Sequence, residues 1–359
     1  MVYINGNDIF SAYTSGISVS EIFTQGVQVW PVLPSTSYYI RWTPSDLTGT
    51  FSIGGYRYYF EDYNGYFSNF NGTIPESAFE GTGVTMIETN AVSFGSSAFA
   101  NCSSLVSAYL SNCSEIVNEG LFYSCTSLRT VSLPICTSIG SATFRYCTSL
   151  RSIDLPEVLY VSDYGFRNCS DLSVVNLPKC KYLGDRAFYL EWSNGEYASL
   201  SIYCPECEVY FTGCFLGRWL QVTFNHFSHC KYIGSMAFDG AIGLITSKPV
   251  YDLPVCSYIG YRAFADCGFY YMNLSSVTTI ESGAFCRRDL WENNEPSFRR
   301  IAIFTSSVCS LNPSLTFSKI MNGSWVMGAY IYVPSSLYSD YIAASGWSDI
   351  SSYIFKITS

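Results

Sequence analysis

Residues Phe122–Phe144 read F-Y-S-C-T-S-L-R-T-V-S-L-P-I-C-T-S-I-G-S-A-T-F, and the closing phenylalanine opens the same phrase again. Phe144–Phe166 is F-R-Y-C-T-S-L-R-S-I-D-L-P-E-V-L-Y-V-S-D-Y-G-F, and Phe166–Phe188 is a third copy. With phenylalanine as the register mark, coils fall at Phe79, Phe99, Phe122, Phe144, Phe166, Phe188, Phe215, Phe238, Phe264 and Phe285. The steps are 20, 23, 22, 22, 22, 27, 23, 26 and 21 residues. Self-similarity at such a period marks a solenoid, in which each unit buries its apolar side only against its neighbours.

Within the phrase, Val131 and Leu133, Ile153 and Leu155, and Val175 and Leu177 alternate with other residues. That is the two-residue period of a strand with one buried face. The prolines that follow (Pro134, Pro156, Pro178, Pro254) lack an N–H donor and end each strand. Gly140, Gly184, Gly234 and Gly260 allow the turn into a short A-F segment. The phenylalanine then closes the coil's core, where its burial is worth about 2–3 kcal/mol. Arg145, next to Phe144, is expected to contribute little.

This phrase resembles the BspA-like (Treponema-type) leucine-rich repeats of bacterial surface proteins, whose hallmarks are F-x-x-C/N-x-x-L-x-x-I-x-[IL]-P and I-G-x-x-A-F. The likeness runs in phase from about Ile74 to the C-terminus. It implies a leucine-rich repeat solenoid, mainly β with short helical turns, preceded by a small all-β N-terminal region and closed by a short C-terminal helix cap. The expected segments are an N-terminal β-hairpin anchoring module (1–34), a small aromatic-rich antiparallel β unit (35–73), a solenoid of about ten coils (74–329), and a last strand with its cap (330–359).

In the tail, Tyr330–Pro334 reads as the last strand. Ser335 or Ser336 is expected to N-cap a helix with Leu337, Tyr341 and Ala344 on one side, stopped at Gly346. Trp347, Ile350 and Ile354 would then cover the open end of the core, as an exposed terminal coil is an aggregation edge. At the front, short strands are expected around Asn5-Gly6, followed by a hairpin that joins Val19 and Ile22 to Val27, Val29 and Trp30 about Gln25-Gly26. The E-I-F-x-x-G-V-x-V-W stretch weakly resembles N-terminal segments of bacteriophage tail and fibre proteins.

Charged residues make up 13% of the chain, while Tyr (30) and Phe (25) are abundant, so the surface is adhesive in character. A formal charge of −9 and the absence of any Lys/Arg cluster argue against nucleic acid and anionic membranes as partners. No apolar run approaches the length of a membrane span, and Met1 is followed by neither a basic nor an apolar leader region, so no export signal is expected.

Fifteen cysteines, among them C-P-E-C at Cys204–Cys207, invite a metal or redox reading. The register answers most of it. Cys102, Cys125, Cys147, Cys169 and Cys267 each lie three residues after a coil's phenylalanine. Cys204 falls at the Leu177 position, Cys207 and Cys230 at the Cys180 position, and Cys214 at the Ala187 position. Each site calls for a small buried side chain, and free cysteine is one. The competing reading is a zinc site from Cys204, Cys207, Cys214 and Cys230. Parallel Cβ vectors on neighbouring coils disfavour disulfides, and a ladder of reduced thiols points to folding in a reducing compartment. No catalytic constellation involves His226 or His229, so no enzymatic activity and no cofactor are expected. The N-C-S triplets at Asn101, Asn112 and Asn168 recur because the repeat recurs.

If the strand Val/Ile and Leu residues point inward, their neighbours form a row on the concave sheet face: Ser107 and Tyr109, Thr130 and Ser132, Ser152 and Asp154, Val174 and Asn176, Ser201 and Tyr203, Gln221 and Thr223, Val250 and Asp252, Tyr271 and Asn273, Arg300, then Tyr330 and Tyr332. Tyrosine gives contact area at low entropic cost and small polar residues adapt, as in antibody paratopes. The candidate ligand-binding residues are Tyr109, Asp154, Asn176, Tyr203, Asp252, Tyr271, Asn273 and Arg300. The longer loops at 191–198, 241–248 and 287–296 offer a second candidate surface.

Two functional readings follow. One is a bacteriophage virion component, tail or fibre, held by virion structural proteins through its N-terminal region and contacting a host-surface protein or glycan. The other is a bacterial cell-surface adhesin of the BspA-like kind that binds host or extracellular matrix proteins. Neither needs nucleic acid or membrane insertion, and self-association into a homo-oligomer is left open.

Overall fold

A computed structural model describes residues 72–357 apart from 192–197, 218–219, 224–226, 242–249, 268, 270, 287–298, 313–315 and 322–323, together with strand segments between 12 and 70. The expectation around Asn5-Gly6 lies outside these residues. The solenoid is present, and each coil contributes to three ladders.

The first ladder is built from the alternating strands, all parallel along the solenoid. Its hydrogen bonding falls into three stretches. Val84–Thr89, Ser107–Leu110 and Thr130–Ser132 form the first. Ser152–Asp154, Val174–Asn176, Ala198–Tyr203 and Leu220–Thr223 form the second. Val250–Leu253, Tyr271–Leu274, Arg299–Ile303, Ala329–Val333 and Ile354–Lys356 form the third. Inward residues such as Ala108, Ile153, Val175, Ile202, Met272, Ile301 and Ile331 are buried. The second ladder is an unbroken parallel sheet of eight two-residue strands, from Ser138–Ile139 to Ser310–Leu311.

The phenylalanine turns make the third ladder. Phe122 N–H donates to Thr143 O at 2.8 Å, Phe144 to Gly165 O at 2.8 Å, and Phe166 to Ala187 O at 2.7 Å. The N–H groups between them bond within their own turn, as Tyr123 N–H does to Gly120 O at 2.9 Å. This alternation puts residues two before and two after the phenylalanine in the left-handed region: Ser97 (φ 56°) and Asn101 (58°), Ala142 (52°) and Tyr146 (64°), Tyr164 (59°) and Asn168 (60°). Asparagine tolerates that conformation better than most residues, so the N-C-S triplets at Asn101 and Asn168 have a backbone cause. The repeat glycines serve a different purpose from the one expected. A Cβ on Gly140 would sit 2.6 Å from Asn118 O, and one on Gly184 2.7 Å from Asp163 N, so close packing against the preceding coil excludes a side chain.

Every phenylalanine of the register is buried, and their rings stack from coil to coil. From Phe99–Phe122 to Phe264–Phe285 the centroids lie 5.1–5.7 Å apart with interplanar angles of 2–16°. At that spacing the rings are offset, the arrangement the ring quadrupole favours. The stack continues to an eleventh ring, Phe317, 5.6 Å from Phe285. The sequence register missed Phe317 because the step to it is long and lacks the I-G-x-x-A-F approach. Trp347 ends the stack at 5.9 Å from Phe317, and Tyr341 meets Trp347 edge-on at 5.0 Å.

The cap departs from expectation in two details. The helix Tyr338–Ala343 begins after Leu337 with no side-chain cap, and Ser335 Oγ instead donates to Ile357 O at 2.9 Å. Tyr330–Val333 is not the last strand, because Ile354–Lys356 pairs beyond it. Trp347 and Ile354 are buried as expected, and Trp347 Nε1–H donates to Cys309 O at 2.8 Å. Tyr341 Oη lies 2.8 Å from Thr305 Oγ1. No helix among the described residues is long and apolar enough to cross a membrane.

At the other end, Tyr38–Pro44 pairs antiparallel with Val84–Thr89 and with Gly65–Phe70, which extends the first ladder at its N-terminal edge. The two front hairpins join Ala12–Thr14 to Ile17–Val19 and Ile22–Thr24 to Val27–Val29. Val19 thus belongs to the first of them rather than the second.

All fifteen cysteines are buried and free. Cys102 Sγ donates to Phe79 O at 2.9 Å, Cys125 to Phe99 O at 3.0 Å, Cys147 to Phe122 O at 3.2 Å, Cys169 to Phe144 O at 3.0 Å, and Cys267 to Phe238 O at 2.8 Å. Each thiol therefore ties its coil to the phenylalanine carbonyl of the coil before. Burial pushes the Cys169 thiol up to about 12 and Cys147 and Cys214 well above the ordinary value. Arg145 is no bystander: its guanidinium lies 5.0–5.7 Å from the ring centres of Tyr123, Tyr146 and Tyr164.

Phe144→Ala is expected to cost about 3–5 kcal/mol through the cavity it leaves, and Arg145→Ala about 1–2 kcal/mol through lost cation–π contacts. Arg151→Ala, whose side chain is 78% exposed, should stay within about 0.5 kcal/mol of the parent. Chemical-melt midpoints in any other order would overturn the register. The thiols are expected to resist alkylation in the folded protein and to react once it is unfolded in denaturant, because buried thiols hold little thiolate. Rapid labelling of Cys125 or Cys147 in the folded protein would contradict their placement.

Candidate functional site

Outward residues of the first ladder fall on two parallel lines, two residues apart along each strand. One line carries Glu88, Tyr109 and Ser132, then Asp154, Asn176 and Tyr203, then Asp252, Asn273 and Ala302. The other carries Ser107 and Thr130, then Ser152, Val174 and Ser201, then Val250, Tyr271, Arg300 and Tyr330. Of the eight candidates, Tyr109, Asp154, Asn176, Tyr203, Asp252 and Asn273 share the first line, while Tyr271 and Arg300 lie on the second.

Direct neighbours among them touch. Asn176 Nδ2 donates to Asp154 Oδ1 at 2.6 Å, and Asn273 Nδ2 to Asp252 Oδ1 at 2.6 Å. Tyr203 follows Asn176 on the next strand and is 46% exposed. Arg300 lies 5.6 Å from the Tyr271 ring centre. Tyr109 stands apart, opposite Ser132 in the first stretch, and is 41% exposed. The two Asp–Asn pairs are pre-set: each amide is fixed by its carboxylate, which leaves the second carboxylate oxygen and the amide oxygen for a partner.

One register expectation shifts. Thr223 lies beside Ser201, and Gln221 beside Ser199, two residues away from the alignment read in the sequence. Thr223 stands eight residues after Phe215, as Thr130 stands after Phe122, but no Leu-Pro closes its strand to mark the phase. Beyond Tyr330 and Tyr332, the face carries one more aromatic that the sequence row left out. Phe355, on the strand beyond the expected last one, is 5.5 Å from Tyr330 and 5.8 Å from Tyr332, centre to centre. The 191–198, 241–248 and 287–296 loops lie largely outside the described residues.

The second sheet carries its own outward row, missed altogether by sequence reading: Ser138, Tyr160, Tyr182, Val209, Tyr232, Tyr258, Thr279 and Ser310. Tyr160 stacks on Tyr182 and Tyr232 on Tyr258, each pair at 4.9 Å with interplanar angles of 7° and 5°. The signal was present in C-K-Y-L-G, C-K-Y-I-G and C-S-Y-I-G, where the tyrosine always holds the same phase.

Cys204, Cys207, Cys214 and Cys230 do not come together as a ligand set. Among the described residues, no group of three or more His, Cys, Asp or Glu side chains is placed to hold a metal ion. Cys207 and Cys230 instead share one local role, the thiol facing the carbonyl two residues on, Val209 O at 3.6 Å and Tyr232 O at 3.8 Å. Hydrogen bonding with Cys180 and Cys207, together with burial, pushes the Cys204 thiol far above its ordinary value. His229 is exposed, with Nδ1 3.1 Å from Pro205 O.

Comparison with curated proteins returns no match. Among solved structures, a leucine rich cell surface protein from Faecalibacterium prausnitzii aligns at 19% identity, with 88% of this chain and 96% of that one covered and a TM-score of 0.41. A leucine-rich repeat protein from Bacteroides ovatus aligns at 16% identity, with 76% and 96% covered and a TM-score of 0.32. The BspA type leucine rich repeat region matches in six copies, over residues 72–193 and 210–335. That match spans most of the chain, so the chain belongs to the BspA type leucine-rich repeat family.

Proposed function

We propose that the protein is a non-enzymatic surface recognition protein, a bacterial adhesin whose first sheet face contacts a polar protein or glycan epitope. The observation that carries this reading is the line Asp154–Asn176–Tyr203, repeated in kind by Asp252–Asn273 with Tyr271 alongside. The first places a hydrogen-bonded carboxylate–amide pair one strand from an aromatic ring, and the second places its pair two residues along the strand from one. A ring covers apolar area while the paired groups bond a partner's hydroxyls or amides. Membership of a repeat family that acts as a binding scaffold supports the same reading, and no catalytic family is indicated.

The virion component, the first of the two sequence readings, draws on the reduced cysteines, the tyrosine-rich surface and the loose resemblance at Glu21–Trp30. The family match begins at residue 72 and favours the second reading. Nothing in the fold or the family favours a virion over a cell envelope, and surface display is the reading the repeat supports.

A Tyr203→Ala/Tyr271→Ala double variant is expected to fold normally and lose binding to immobilised extracellular matrix proteins and host cells. Each aromatic that acts as an anchor should account for about 2 kcal/mol. Undiminished binding by that variant, with loss only on deleting residues 1–71, would make the solenoid a spacer and the front end the binder.

A further inference from the structure

The tyrosine row of the second sheet has one interruption. Tyr182, Val209 and Tyr232 occupy the same outward position on three successive strands. Tyr160 covers the far face of Tyr182 and Tyr258 the far face of Tyr232, with the rings of each pair nearly parallel. The two inner faces therefore look at each other across Val209, two strand spacings or about 9.6 Å apart. Phe211, 41% exposed and 6.5 Å from Tyr232 centre to centre, borders this slot past Val209. On the opposite border, Glu208 bridges Lys231 at 2.7 Å and Lys181 at 3.7 Å. Two ammonium groups on one carboxylate leave a net positive charge beside the slot, on a chain of net charge −9.

A six-membered ring seated over Val209 would meet both tyrosines at about the 4.8 Å pitch of the rail itself. A saturated ring in its chair form presents C–H groups to both faces, the apolar side of a sugar against the negative face of each tyrosine. The lysines set the charge. Both side chains are about half exposed or more, at 45% and 61%, so they can turn to a ligand carboxylate at little cost.

We propose that the slot between Tyr182 and Tyr232, floored by Val209, binds the pyranose ring of an acidic saccharide of the uronic acid class, with Lys181 and Lys231 holding its carboxylate. This site lies on the other sheet from the Tyr203 row and stands independently of it.

The test is calorimetric titration of the full chain with tri-galacturonate and with its neutral methyl ester. The acid should bind, the ester should bind more weakly, and added salt should weaken the acid alone. Val209→Tyr completes the tyrosine stack and fills the slot, so it should keep the fold and lose about tenfold or more in affinity. Lys181→Gln/Lys231→Gln should abolish the preference for the acid. Tyr203→Ala/Tyr271→Ala should bind the trimer as the parent does. Equal affinity in Val209→Tyr, no heat with the parent at millimolar trimer, or tighter binding of the ester or of a proline-rich peptide would each overturn the proposal.

Discussion

The structure depends on one constraint: each coil must present its phenylalanine ring to the next at a distance where offset stacking and backbone pairing are satisfied together. The rings sit 5.1–5.7 Å apart through the central register, close to the spacing of paired strands. Side-chain stack and main-chain ladder can therefore run at the same pitch. The left-handed residues at Ala142 and Tyr146 serve that match. They rotate alternate N–H groups out of the turn and toward the neighbouring coil, at a cost of about 1–2 kcal/mol each for a side chain with a Cβ. Stacking and pairing along the whole solenoid offset it.

The cysteines follow from the same constraint. A residue three past the phenylalanine lies under the carbonyl of the preceding coil's phenylalanine, in a buried site where an unpaired hydroxyl would be costly. A thiol fills it and donates weakly to that carbonyl, as Cys147 does to Phe122 O. The geometry also bears on where the protein can work. Fifteen free thiols read in a sequence favour a reducing compartment, but that inference assumes the thiols are reachable. Here every one is buried, and an oxidant or a partner thiol meets them only after local unfolding. Surface display and free cysteines are thus compatible in this fold.

Most of the solenoid was legible because it is periodic. The ten phenylalanines, the inward Val and Leu residues, the buried thiols and the covering role of Trp347 all follow from phase alone. What escaped reading was whatever broke phase or had no hydrophobic signature. Phe317 stands after a long step without its approach motif. Thr223 pairs with Ser201 at the ordinary eight residues after its coil's phenylalanine, but no Leu-Pro closes that strand to mark its phase. Ser335 does not cap its helix because the carbonyl of Ile357, far along the chain, competes for its hydroxyl. Arg145 looked peripheral because a charge beside a core residue points outward, yet its chain neighbour Tyr146 and one tyrosine from each adjacent coil converge on it.

The second sheet shows how periodicity produces a recognition surface without any motif of its own. Repeating one residue type at an outward position makes a rail, and on a parallel sheet a tyrosine rail stacks on itself. Its ring faces are then spent on each other, leaving edges and hydroxyls for solvent, as in Tyr160–Tyr182 and Tyr232–Tyr258. An unbroken rail is therefore a poor receptor for anything that binds by stacking. A single smaller residue within it uncovers two facing rings at once, at a separation fixed by the backbone rather than by side-chain rotamers. Val209 is that residue, so the position where the repeat is least regular on this face is the one where it has free aromatic surface to offer.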